Sequence, residues 1–141
     1  MDEAVITQYI TDTFAGVETT TAYGYTFFFY GTERKLPFST LAAADNEYDR
    51  VSNLDRPGVF RLNIGVSKQT FQALFGTGTL DVRAYDFTKL DTMLPHPEYA
   101  PQSWVCVLSP HDATFQETVQ TLLAEAYDGA VKRHAGQHLT E

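Results

Sequence analysis

The sequence predicts an α+β fold in which an antiparallel sheet of four or five strands carries helices packed on one face. Three observations lead there. Four strand-like segments succeed one another before a second helix, an order that suits hairpins and a meander better than a wound α/β sheet. The first and last segments repeat apolar residues at helical spacing. Finally, 141 residues with 43% hydrophobic content can bury one core without staples, and the lone Cys106 could supply neither an internal disulfide nor a thiolate cluster.

Taken in order, residues 2–14 place Ile6, Tyr9, Ile10, Thr13 and Phe14 on one helical face, with Asp2 and Glu3 at the end of the helix dipole that favours carboxylates. Gly16 ends that helix. From Glu18 the period shortens, and residues 19–22 and 25–30 are β-branched or aromatic runs divided by Tyr23-Gly24, which reads as a hairpin. Phe27, Phe28 and Phe29 load both faces of the second strand, so it is central or covered twice. After a turn over 31–35, a third strand runs over 38–44. Residues 45–58 are polar and close on Arg56-Pro57-Gly58, the composition of a loop.

Residues 59–66 alternate, with Phe60, Leu62, Ile64 and Val66 toward a core and Arg61, Asn63 and Gly65 away from it. Ser67 caps a short helix reaching Phe75, with Phe71, Leu74 and Phe75 inward and Gly76 as its terminator. Residues 76–103 hold one turn of helix over 88–94 and the rigid Pro95-His96-Pro97. Trp104–Leu108 is apolar throughout and predicts a strand buried on both faces. Ser109 as N-cap and Pro110 at the first helical position start the last helix, whose apolar stripe from Phe115 continues to about Arg133. One domain over 1–141 results, with its core over about 2–133 and a frayed tail over 134–141.

Ten Lys and Arg against eighteen Asp and Glu give a net charge of −8, which disfavours a surface that tracks nucleic-acid phosphates. Positions 34–68 depart from this, with six basic residues against four acidic ones. Such an island either holds a small anion or makes ordinary ion pairs. No apolar run is long enough to span a membrane, and Met1-Asp2-Glu3 does not resemble an export signal, so the expected location is the cytoplasm.

Several chemistries fail on spacing. Asp45, Glu47 and Asp49 have the alternation of a calcium loop, but Arg50 stands where its glycine must turn and Arg56 where its bidentate glutamate belongs. His134 and His138 lie four apart with no accompanying carboxylate pattern, so no metal is expected. No phosphate loop or dinucleotide fingerprint follows a strand, and no cofactor is expected either. Cys106 between Val105 and Val107 reads as a core thiol, and no serine elbow or carboxylate pair marks a catalytic residue.

What remains is a set of polar and aromatic residues that a core does not require: Arg34, Asn53, Arg56, Arg61, Asn63, His96, Tyr99 and Trp104. Arg61 either offers its planar fork to an anion or pairs with Asp49 or Asp55 to pin the loop. The expected site lies on the sheet face bearing Arg61 and Asn63, rimmed by the 45–58 loop and by His96 to Tyr99. The function expected is that of a non-catalytic binding or interaction domain, its partner a small anion or a protein. The alternative is an enzyme or binder acting on an anionic small molecule through Arg34, Arg61 and His96, the last as acid or base, and nucleic-acid binding ranks third.

Three motifs, Glu33-Arg34-Lys35-Leu36-Pro37-Phe38, the segment from Ser52-Asn53-Leu54 through Ile64-Gly65-Val66-Ser67, and His96-Pro97-Glu98-Tyr99 through Ser103-Trp104-Val105, resemble those of a bacterial family known only as a domain of unknown function. That resemblance spans nearly the whole chain and implies no assigned activity. A fainter similarity is to the MmcQ/YjbR-like proteins, through an opening helix, a meander, and a Trp-containing strand before a final helix with an inward Tyr. It implies a frataxin-like sheet. DNA binding has been suggested for some of those proteins by fold analogy, and here Ser103 instead of His before Trp104 and the −8 charge depart from that pattern.

Overall fold

A computed structural model of the protein describes residues 1–32 and 35–139, with the side chains of 137–139 excepted. Arg34 therefore lies outside the described residues, as do the side chain of His138 and the end of the predicted tail at Thr140 and Glu141.

The sheet is antiparallel throughout and has six strands rather than four or five: β1 (Val17–Ala22), β2 (Tyr25–Tyr30), β3 (Ser39–Ala42), β4 (Arg61–Gly65), β5 (Leu94–Pro95) and β6 (Trp104–Leu108), in the spatial order β1-β2-β3-β4-β6-β5. The extra strand, β5, is two residues long and contains a proline, so sequence patterning has nothing to register there. Proline is tolerated because β5 is an edge. Among the described residues the helices are α1 (Glu3–Thr13), α2 (Lys68–Phe75) and α3 over 112–139.

Period-two alternation sorts each strand's side chains, and the registers align them across the sheet. Leu41 faces Leu62, which faces Val107, and this surface meets Ile6 and Ile10 of α1 and Val119, Leu123 and Ala126 of α3 in one core cluster. On the opposite face one row reads Phe27, Thr40, Asn63, Cys106 and Leu94. The next row reads Tyr25, Ala42, Arg61 and Leu108. Part of this second face carries its own small core, in which Leu54, Val59 and Phe87 from the long loops cover Ala42, Cys106 and Leu108. The rest of it is open.

Several local expectations change. α3 starts at Asp112 with His111 as its N-cap, because Ser109 sits at a positive φ of 38° and its hydroxyl bridges Phe60 N–H and Gly58 C=O instead. A π-helical turn at Phe115–Val119 interrupts α3, which then continues past Arg133 to Leu139. Leu74 is 38% exposed rather than inward, so α2 rests on the core through Phe71 and Phe75 alone. Thr13 of α1 is exposed as well. The helical turn expected over 88–94 is instead a 3-10 turn at Val82–Ala84, capped by the Asp81 carboxylate.

No helix among the described residues is long and apolar enough to cross a membrane.

Candidate functional site

The open part of the helix-free face is a slot of about 1080 Å³. Strand register explains its shape. The floor is made by short or saturated side chains, Thr40, Asn63 and Gly65, on the two middle strands. Tyr25 and Phe27 of β2 form one wall, and His96, Tyr99 and Trp104 form the other. Arg61 and Gly65 mark its two ends along β4, four residue steps or roughly 13 Å apart.

At the Arg61 end the floor is closed by a polar network. Arg61 is fully buried, at 0% exposure. Its Nε donates to Asn63 Oδ1 at 3.0 Å, Nη1 to Ser52 Oγ at 3.0 Å and Asp49 Oδ1 at 3.3 Å, and Nη2 to Asp49 Oδ2 at 2.5 Å. Tyr25 donates its hydroxyl to the same Asp49 oxygen, and Asn63 Nδ2 donates to Thr40 Oγ1 at 3.0 Å. Burial pushes the Asp49 carboxyl up, but hydrogen bonds from Arg61 and Tyr25 and the Arg61 charge outweigh it and hold the group below its ordinary 3.8. Burial likewise opposes the Arg61 charge, yet Asp49 raises its pKa further still. Tyr25 is pushed up to about 12, by burial first and then by Asp49. The pair is thus a neutral unit, and it tethers the 45–58 loop to β4.

His96 is set by its own turn. Its Nδ1 accepts the backbone N–H of Glu98 and of Tyr99, both at 3.0 Å. That nitrogen is therefore unprotonated and the proton sits on Nε2. Burial, followed by the nearby Arg61 charge, lowers the pKa to about 3. Nε2 makes no hydrogen bond among the described residues. The ring lies 5.0 Å from that of Tyr99 and 6.5 Å, edge-on, from that of Trp104.

Gly65 explains the position of Trp104. A Cβ at Gly65 would lie 2.9 Å from Cε2 and 3.2 Å from Nε1 of the indole, so only glycine lets the ring lie over this strand. The indole N–H has no partner among the described residues. Beyond it, Arg133 of α3 reaches the rim with no hydrogen bond or ion pair among the described residues, and burial lowers its pKa.

Arg61, Asn63, His96, Tyr99 and Trp104 thus come together on one recess, whereas Asn53 and Arg56 do not line it. Asn53 occupies a positive φ of 51° within the loop. The Arg56 guanidinium is spent on the carbonyls of Asn53, Ser52 and Thr88, which fastens the loop to the 76–103 segment. For Arg61 the loop-pinning alternative is the one realised, with Asp49 as the partner. Sequence reasoning missed Tyr25, Phe27, Thr40 and Ser52. The parity of Tyr25 and Phe27 in the hairpin is the available signal, and it points to a face without choosing which one.

A model of a family of unknown function, DUF6194, matches residues 1–138. The chain belongs to the DUF6194 family. No curated protein matches it, and no solved structure matches it. The family match covers every element that builds the recess, from β2 to the rim residue Arg133. Among the described residues no three His, Cys, Asp or Glu side chains converge as metal ligands.

Proposed function

We propose that this member of the DUF6194 family is a single-domain small-molecule-binding protein of the cytoplasm, taking a flat, largely apolar ligand into the slot without transforming it. The observation that carries this reading is the slot itself: aromatic walls on both sides of a floor whose one buried cation is already neutralised. Such a shape favours planar rings, since stacking and apolar burial act along its whole length. A small anion held by Arg61, the alternative to ion pairing, is disfavoured, because an incoming carboxylate would have to displace Asp49 from a buried guanidinium and from the Tyr25 hydroxyl.

Binding without turnover is supported by the chemistry of the nearest reactive groups. His96 has Nδ1 occupied and a pKa of about 3, which suits neither an acid nor a base near neutrality. Cys106 is buried, and burial pushes its thiol up to about 12. The faint resemblance to MmcQ/YjbR-like proteins enters this reading only as a likeness of element order, and the net acidic charge leaves nucleic acid outside it.

The test is a thermal-shift screen of flat aromatic fragments, with each hit followed by fluorescence of Trp104, the chain's single tryptophan. Stabilising hits are expected to quench or shift that emission. Hits that stabilise the protein but leave Trp104 unaffected, or a library without hits, refute the reading. A second reading, capture of a partner protein's side chain, is favoured by the exposed Tyr23 and Tyr48 at the mouth, 79% and 82% exposed.

A further inference from the structure

Inside the exposed rim of Glu98, Gln102 and Arg133, the two ring nitrogens that lack a partner among the described residues are both donors, which deepens the small-molecule reading and rests on it. His96 Nε2 must carry a hydrogen because Nδ1 accepts two backbone N–H groups, and Trp104 Nε1 carries one in any state. Both are neutral donors on rings 6.5 Å apart, and neither has a partner among the described residues. The acceptors of the floor are already committed. Asp49 takes Arg61 and Tyr25, Asn63 Oδ1 takes Arg61 Nε, and Thr40 Oγ1 takes Asn63. A ligand that brings only donors would therefore leave His96 and Trp104 unpaired, and a buried unpaired donor is costly.

We propose that the ligand is an uncharged planar ring compound that presents a carbonyl or ring-nitrogen acceptor to His96 Nε2–H and Trp104 Nε1–H. A full negative charge is not called for at that point, since both donors are neutral and the nearby Arg61 charge is already paired with Asp49. A ligand cation is disfavoured too, because donors would face it. Aromatic bulk then fills the length of the slot between Tyr25 and Tyr99.

The probes are acetylnaphthalene, which has a neutral acceptor, ethylnaphthalene, which has the same shape without one, and naphthoate, which has a charged one. Calorimetry and imidazole-nitrogen NMR on the intact protein are the readouts. Acetylnaphthalene is expected to bind about three- to tenfold tighter than ethylnaphthalene, the range of one net hydrogen bond, and to shift the His96 Nε2–H signal. His96→Asn retains a side-chain acceptor for the two backbone N–H groups of the turn while removing Nε2–H, and it should abolish that preference without lowering affinity for ethylnaphthalene. The ligand-side comparison uses unaltered protein, so it stands even if the variant folds poorly.

Equal binding of the two neutral probes, with no change at His96, overturns the acceptor inference and leaves the slot-binding reading intact. Tightest binding by naphthoate, lost in Arg133→Gln, overturns it in favour of an anionic ligand held at the rim. Failure of all three probes to bind or to perturb Trp104 emission counts against both this inference and the reading it rests on.

Discussion

The substitution Asp49→Asn tests the core of the structural reasoning, because it removes one charge and almost no volume. Arg61 is 0% exposed and spends two of its hydrogen bonds on Asp49, whose side chain is 21% exposed. The amide that replaces the carboxylate keeps one acceptor oxygen but turns its NH2 toward the guanidinium or toward the Tyr25 hydroxyl, and the buried cation loses its counter-charge. Breaking a buried pair by removing one partner costs about 3–5 kcal/mol, and the partial solvent access at Asp49 places this case near the lower end. With a urea slope of about 1.5–2 kcal/mol per M for a domain of this size, the midpoint should fall by roughly 1.5–2 M. Adding Arg61→Met removes the stranded charge, so the double variant should be more stable than Asp49→Asn alone.

The same pair sets an acid dependence. The folded-state pKa of Asp49 lies below its ordinary 3.8, so its stabilisation is complete above that value and fades as pH falls through the depressed one. Equilibrium urea unfolding followed by circular dichroism, across that acid range, reads both effects. A midpoint shift below roughly 0.5 M, the range of an exposed ion pair, together with additivity in the double variant, would refute the argument that this pair is buried and pins the loop.

Three further outcomes follow from the same geometry. His96, held neutral with a pKa of about 3, should show no imidazole titration in NMR from neutrality down to mildly acidic pH, whereas a titration near its ordinary 6.5 would show that Nδ1 is not held by the turn. Because the unfolded chain takes up a proton there and the folded one does not, stability should decline as pH falls from about 6.5 toward 3, by at most about 1.4 kcal/mol per pH unit. Gly65→Ala puts a methyl 2.9 Å from the Trp104 ring, so it should displace the indole, shift its emission and destabilise by about 1–3 kcal/mol; unchanged emission would mean that the ring does not lie on this strand. Cys106, fully buried and with its thiol raised to about 12, should resist a thiol reagent until the protein unfolds, and reaction at the rate of a free thiol would contradict the doubly covered β6.

Where local pattern and long-range contact agree, the sequence is readable. The β4 alternation places Leu62 and Ile64 in the helix-side core and Arg61 and Asn63 opposite them, and Ser67 caps α2 through Thr70 N–H. The N-cap of α3 departs from expectation because Ser109 satisfies the local rule, yet the helix starts after His111, which makes no side-chain cap hydrogen bond. The Phe60 N–H just before β4 and the Gly58 carbonyl claim the Ser109 hydroxyl, and that tertiary contact decides the helix start. Arg56 and Arg61 are alike in composition and both sit near carboxylates. One is absorbed by loop carbonyls and the other by a buried carboxylate, a distinction made by which chain segments fold across them.

The α+β class, the antiparallel meander and the two-faced alternation of β4 are legible in the residues alone. These rest on periodicity and turn chemistry, which are properties of neighbouring residues. That Asp49 neutralises Arg61, that Gly65 admits Trp104, and that two ring N–H donors stand unpartnered among the described residues between aromatic walls emerges in the folded chain. Each of these joins residues on different chain segments, and their meeting depends on strand register and loop path, which no local pattern encodes.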